Sequence, residues 1–288
     1  QLLADSENLF NKGLHPNLVC KGYNQAAMMA VDYLDNQLSF SANKKELLQI
    51  AETAVTGKTL EAAIDQVAAL CVEAVNVAGS ADKVKVVGLA GGSLGDSYFF
   101  NGIVVNKDFV YEVSEEKLDN VILLNTGLEP RKTEENVTVQ LDMQGYNQFK
   151  SSDKDDLLDQ AKRISNMLPN GGVVFIRDGV DDNVAAYLAK QNVAIVRRVP
   201  ESSMKGLSLA LNARISQSPN DIENLISGKI ERKTFNEINY LFVSGTVKSN
   251  QSTLILRGAT SSTLDEVARG FDDALGVVSL VMNGGNIV

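Results

Sequence analysis

Apolar residues at helical spacing open the chain: Leu18, Ala26, Met29, Ala30, Tyr33 and Leu34 share one stripe, and Pro16 suits the first turn of the helix that carries them. A second helix is predicted over Lys44–Val55 and ends at Thr56-Gly57-Lys58. A third runs from Thr59 to about Val77, with Ala63, Val67, Leu70 and Ala74 on one face. The period then changes. Lys83–Val87, Gly102–Val105, Val121–Leu124 and Val137–Leu141 are short β-branched runs separated by Gly, Asn and charged turns, and they read as strands. A charged stretch, Met143–Arg163, carries Tyr146, Phe149, Leu157 and Leu158 among Asp and Lys, with Ile164 directly after it; it reads as a solvated helix, or as a mobile element offering apolar side chains to a partner. Strand and helix alternate beyond it: Val173–Ile176, Asp181–Gln191, Val193–Val196, Ser202–Leu211. Val243–Val247 and Leu254–Arg257 close the strands, Ser261–Val278 returns to helix, and the chain ends on a short strand. The fold class is therefore α/β, with helical segments on both sides of the block, as when one domain is inserted into another.

The final helix divides cleanly. At about 100° per residue, Leu264, Val267, Ala268, Phe271, Leu275 and Val278 form one stripe. Asp273 lies opposite, near Glu266 and Arg269, where local pattern alone makes it an exposed carboxylate paired with Arg269.

Composition narrows the function classes. The 36 Asp and Glu outnumber the 27 Lys and Arg, and the net charge of −9 argues against a nucleic-acid-wrapping surface. No apolar run nears the ~18 residues a membrane helix needs, and no signal peptide is evident, so the expected location is the cytoplasm. Cys20 and Cys71 are too few for a disulfide framework or a thiol-rich metal site. His15, the sole histidine, leaves a Ser-His-Asp triad or a multi-histidine metal site almost nothing to draw on, and its place beside Pro16 suits a helix cap.

Two glycine motifs invite a nucleotide reading and fail on spacing. Thr56-Gly57-Lys58-Thr59 has Glu52 where a P-loop needs its first Gly and follows a helix, so Gly57 reads as a helix stop. Gly88–Gly95 follows a strand, but its spacing is not G-x-G-x-x-G. The next segment looks like strand, so the stretch reads as a connection between two strands. A nucleotide-handling α/β enzyme built on this loop would require a helix directly after Gly95.

Several stretches together resemble one family, the group II chaperonins: the archaeal thermosome and its eukaryotic cytosolic relatives. They are HPNLVCKGYNQAA from His15, IAETAVTGK from Ile50, GVDDNVAAYLAK from Gly179 with VRRV from Val196, LRG from Leu256 and DEVARGFDDALGVV from Asp265. They follow the family's order and spacing along nearly the whole chain. The resemblance implies a remnant of a helical, ATP-binding equatorial domain over 1–38, and a helical intermediate domain from 39–82 and 251–278. It further implies an α/β apical domain over 83–250 with a helical protrusion at 143–163, and the start of a return to the equatorial domain over 279–288.

Residue roles follow from the same resemblance. Asp273 matches the family's aspartate that positions and activates the water attacking the γ-phosphate. Lys58 matches its nucleotide-sensing lysine, although Thr59 stands where the family usually has Gly. Client capture is expected from Tyr146, Phe149 and Leu157 on the protrusion, Tyr187 and Leu188 near 181–191, and Met204 and Leu207 near 202–211. The family's Gly-Asp-Gly-Thr-Thr motif is absent, and the first residue is Gln1. The expectation is a piece of a longer subunit that uses ATP with Mg2+ when complete and holds neither as this chain alone. Its expected partners are unfolded polypeptides and other subunits of a homo- or hetero-oligomeric double ring, with no nucleic acid and no membrane. The competing reading is a passive module that holds unfolded chains without ATP.

Overall fold

In the computed structural model, residues 1–57, 63–113, 118–130, 143–223, 225–246 and 249–287 are described, with 143–154 described in backbone only. The chain divides into two compact units, Gln1–Leu47 with Leu280–Val288, and Leu48–Ser279.

In the first unit, α1 (Leu2–Asn11) precedes α2 (Pro16–Tyr33). His15 caps α2, its Nδ1 accepting from the Asn17 N–H at 3.2 Å, and Pro16 fills the first turn, where a missing N–H costs nothing. The Tyr23 hydroxyl donates to the Leu2 carbonyl at 2.9 Å and ties the two helices. The strand β1 (Phe40–Ser41) pairs antiparallel with the chain's last strand, Asn286–Ile287. Asn43 then starts α3 (Lys44–Val55): its side chain accepts from the Lys45 and Glu46 N–H groups while Glu46 accepts from the Asn43 N–H.

In the second unit, α3 ends at Val55 and Gly57 takes φ +76, the left-handed stop that its sequence position predicts. Helix α4 (Ile64–Ala78) buries Val67, Cys71, Ala74 and Val75. A three-stranded sheet follows, with β10 (Ser252–Gly258) between β2 (Val84–Ala90) and β3 (Tyr98–Phe100), parallel to the first and antiparallel to the second. The last helix, α8 (Ser261–Met282), buries Leu264, Val267, Phe271, Leu275 and Val278, the stripe that the sequence sets out.

The larger sheet has six strands: β4 (Ile103–Val105), β9 (Ile238–Gly245), β8 (Ile226–Phe235), β5 (Asn120–Leu124), β6 (Gly172–Ile176) and β7 (Val193–Val196), in that spatial order. Strands β5, β6 and β7 run parallel. Their alternate residues serve two layers, because successive side chains of a strand point to opposite faces. Ile122, Leu124, Val174, Ile176 and Ile195 meet α5 (Met143–Met167) and α6 (Asp182–Lys190). Val121, Leu123, Val173, Phe175 and Val196 meet α7 (Glu201–Leu211) on the other face. The mixed α/β class is as the sequence indicates.

Three details depart from the sequence reading or lie beyond it. Strand β8 was not anticipated. It forms an eight-pair hairpin with β9 through Asn236 and Glu237, both at positive φ (47° and 64°), so the turn has the backbone of the favoured two-residue type without its usual glycine. The charged segment at 143–163 is one helix with its surroundings, and from Leu157 onward it is a core element: Leu157, Ala161 and Ile164 are buried against the sheet. The strand expected at Val137–Leu141 lies outside the described residues.

Candidate functional site

Asp273 stands on the exposed side of α8, opposite the buried stripe. Helical periodicity forces this, since Phe271, Ala274 and Leu275 must face the core and the two residues between Phe271 and Ala274 turn outward. Its neighbour Asp272 is raised above the usual carboxylate range, first by partial burial and then by the charge of Asp273. Burial first, and then the charge of Asp272, pushes the Cys71 thiol on α4 up to about 12. Lys58 lies outside the described residues.

Of the residues expected to capture clients, four of the described ones are buried. Leu188, Met204 and Leu207 are 0%, 1% and 0% exposed, and Leu157 is 8% exposed; all four belong to the cores beneath α5, α6 and α7. This corrects the expectation for these four, and the reason is elementary. The apolar stripe of an amphipathic helix covers the sheet, so the surface is left to the polar stripe. On α7 that stripe is Glu201, Ser202 and Lys205, with Glu201 and Lys205 paired at 2.8 Å. Tyr187 is half-buried against the α5–α6 core. The side chains of Tyr146 and Phe149 lie outside the described residues.

The glycine-rich connection is a structural turn. Gly91 and Gly92 take φ +91 and +88, and Ser93 and Asp96 form a capping box around the short turn Leu94–Asp96. Strand β3 follows, not a helix, so the loop lacks the helix N-terminus that a dinucleotide site needs. Lys85 is a half-buried cation that the sequence did not single out. Its Nζ donates to the Val104 carbonyl at 2.9 Å and to Ser203 Oγ at 3.4 Å, and burial holds it below the usual lysine range.

A concavity lies at the carboxyl ends of β5, β6 and β7. It is about 720 Å³ and is lined by the loops after those three strands, the face of α5 and the Ser218–Asn220 turn. Among the described residues, no three His, Cys, Asp or Glu side chains converge to hold a metal ion, and no helix is long and apolar enough to cross a membrane.

Comparison with known proteins gives a consistent answer. The sequence model of the TCP-1/cpn60 chaperonin family matches residues 1–288. The chain is similar to a thermosome subunit beta of Archaeoglobus fulgidus, 30% identical over all of this chain and 56% of that protein. It is similar to a thermosome subunit beta of Methanothermobacter thermautotrophicus, at 31% with 55% covered, and to a thermosome subunit 1 of Haloferax volcanii, at 32% with 53% covered. The chain thus spans about half the length of the curated relatives it matches. Among solved structures it resembles the open-state monomer of a group II chaperonin from Methanococcoides burtonii, with a TM-score of 0.71 and 27% identity. That match covers all of this chain and 69% of the other.

Proposed function

Since the chain belongs to the TCP-1/cpn60 chaperonin family, we propose that it is part of a cytoplasmic group II chaperonin subunit that binds unfolded polypeptides and assists their folding at the cost of ATP. In this reading residues 83–250 are the apical, client-binding domain, with its protrusion at 143–163. Residues 39–82 and 251–278 form the intermediate domain, and 1–38 with 279–288 belong to the equatorial domain. The whole subunit takes its place among others in a double ring.

What supports the reading most directly is the position of Asp273 within the ordered family match. A carboxylate that must reach a nucleotide held elsewhere has to leave its own helix on the solvent side, and Asp273 does. Its chemistry there is to accept a hydrogen bond from water, aim the lone pair at the γ-phosphorus and take up the proton as the bond forms. Lys58 is assigned to sensing that phosphate. Mg2+ is expected with the nucleotide, and among the described residues no three His, Cys, Asp or Glu side chains converge to hold a metal ion.

The test is Asp273→Ala in the whole subunit. ATP binding is expected to persist while hydrolysis is lost. Retained turnover, or loss of binding, would overturn the assignment.

A further inference from the structure

Among the described residues, one buried side-chain nitrogen has no hydrogen-bond partner: Nη1 of Arg257. Buried polar groups are paired as a rule, and an unpaired charged donor loses its hydration with nothing in return. Arg257 lies near the end of β10, the middle strand of the small sheet, where its backbone N–H donates to Ser97 Oγ at 3.0 Å. Its side chain leaves that sheet. The guanidinium lies over the ring of Phe235, the last residue of β8 in the large sheet, 4.9 Å from the centroid. A ring face attracts a cation but supplies only part of what the guanidinium N–H groups need.

This arrangement is held from the hairpin side. The Asn236 side-chain amide donates to the Ala90 carbonyl at 3.1 Å and pins the β8–β9 turn to the glycine-rich connection. Phe235 packs on the cluster of Leu89, Tyr240, Phe242 and Ile255, which joins the two sheets. The turn itself is strained, since Asn236 and Glu237 both sit in the left-handed region without a glycine between them.

A stronger partner stands close by. A Cβ on Gly92 would lie 3.1 Å from Asp96 Oδ2 and 3.3 Å from Arg257 Nε, so the carboxylate and the guanidinium face each other across a single glycine. With φ +88, that position requires glycine and stays open. Among the described residues, no hydrogen bond or ion pair joins the two. Asp96 accepts from the Ser93 N–H at 2.7 Å and the Ser93 hydroxyl at 2.9 Å, both through Oδ2, which leaves Oδ1 to receive a guanidinium. Those two bonds, with the Arg257 charge as a smaller cause, hold its carboxyl below the usual range and keep it ionised.

We propose that Arg257 is a two-position latch for the end of the β8–β9 hairpin. In the position described it lies on Phe235 and holds the hairpin to the small sheet. In the second, the hairpin end lifts and the guanidinium turns past Gly92 to pair with Asp96. The first position keeps the apolar contacts of Phe235; the second gives Nη1 a charge-assisted partner and relaxes the turn. Each position offsets what the other lacks, so whatever binds the lifted hairpin selects it. The latch goes beyond the chaperonin reading and does not depend on it.

Amide hydrogen exchange at residues 234–240, followed by mass spectrometry on the whole subunit, reads how often the hairpin end lifts. Asp96→Asn keeps a side-chain oxygen for Ser93 but loses the ion pair, and is expected to slow that exchange roughly threefold or more. Phe235→Leu weakens the first position and is expected to speed it by a similar factor. In an Arg257→Met background, Asp96→Asn is expected to change nothing, because the ion pair can no longer form. Exchange unaltered by Asp96→Asn alone, or slowed as much in the Arg257→Met background, overturns the proposal. Urea denaturation gives an independent reading. Met can lie on the Phe235 ring without a dry donor, so Arg257→Met is expected to unfold at or above the wild-type midpoint. A lower midpoint makes Arg257 a plain structural anchor and overturns the latch.

Discussion

Replacing Gly245 with alanine tests how α7 is seated on the large sheet. Gly245 pairs with Gly228 in the β8–β9 ladder, and this glycine pair makes a flat spot on which the end of α7 rests. A Cβ at position 245 would stand 2.5 Å from the Ala210 carbonyl oxygen, with Leu211 Cα behind it at 3.5 Å. Real Cβ atoms stay at least 3.0 Å from such a neighbour, so backbone must yield by half an ångström or more. No side chain can rotate to relieve it. The end of α7 must lift, and Leu207, Ala210 and Leu211, 0%, 1% and 5% exposed, lose contact together. Overpacking a tight core costs about 1–3 kcal/mol, and a backbone obstacle places Gly245→Ala near the top of that range. Gly228→Ala meets first the tip of Leu211, Cδ2 at 2.5 Å, which can turn aside, with the Ser244 carbonyl oxygen farther off at 3.2 Å, and is expected to cost roughly 1 kcal/mol. Urea denaturation followed by circular dichroism at constant slope reads both. A Gly245→Ala variant within about 0.5 kcal/mol of wild type, or no worse than Gly228→Ala, refutes this account of α7 packing.

Three further outcomes follow from the same structure. Gly276 lies inside α8 with nothing within 4 Å of an added Cβ, so Gly276→Ala is expected to raise stability by about 0.5–1 kcal/mol in the same assay; a loss would mean that the site is occupied. Because burial lowers Lys85, the unfolded chain holds more protons between its folded value and the ordinary 10.5, so stability rises with pH across that window. The stability difference between wild type and Lys85→Met, taken from urea midpoints at several alkaline pH values, should shift in favour of wild type as pH rises; a flat difference would contradict it. With its thiol at about 12 and buried, Cys71 should be inert to a disulfide reagent at pH 8 while exposed Cys20 reacts; two thiols released at one rate in the folded protein would contradict it.

Legibility in the sequence followed the physics of period. The buried face of α8 and the core strands β5, β6 and β7 were readable because apolar spacing reports burial directly. Strand β8 was not, because Lys229, Glu231, Arg232 and Lys233 crowd its length and its Asn-Glu turn carries no glycine. Met204, Leu207 and Leu188 were assigned to the surface from a resemblance, whereas their helical spacing already marked them as core. The concavity at the carboxyl ends of β5, β6 and β7 could not be read at all. Thr126, Arg177, Arg198 and Ser218 come from four loops tens of residues apart, and only the closing of the sheet brings them together.

The account stands on one coupling, between nucleotide and client. The direct measurement is refolding of a chemically denatured client by the whole subunit, with and without ATP, alongside Asp273→Ala. Refolding that requires ATP and is lost in the variant is the predicted result. Protection from aggregation that is indifferent to both ATP and Asp273 would contradict it and leave a module that only holds its clients.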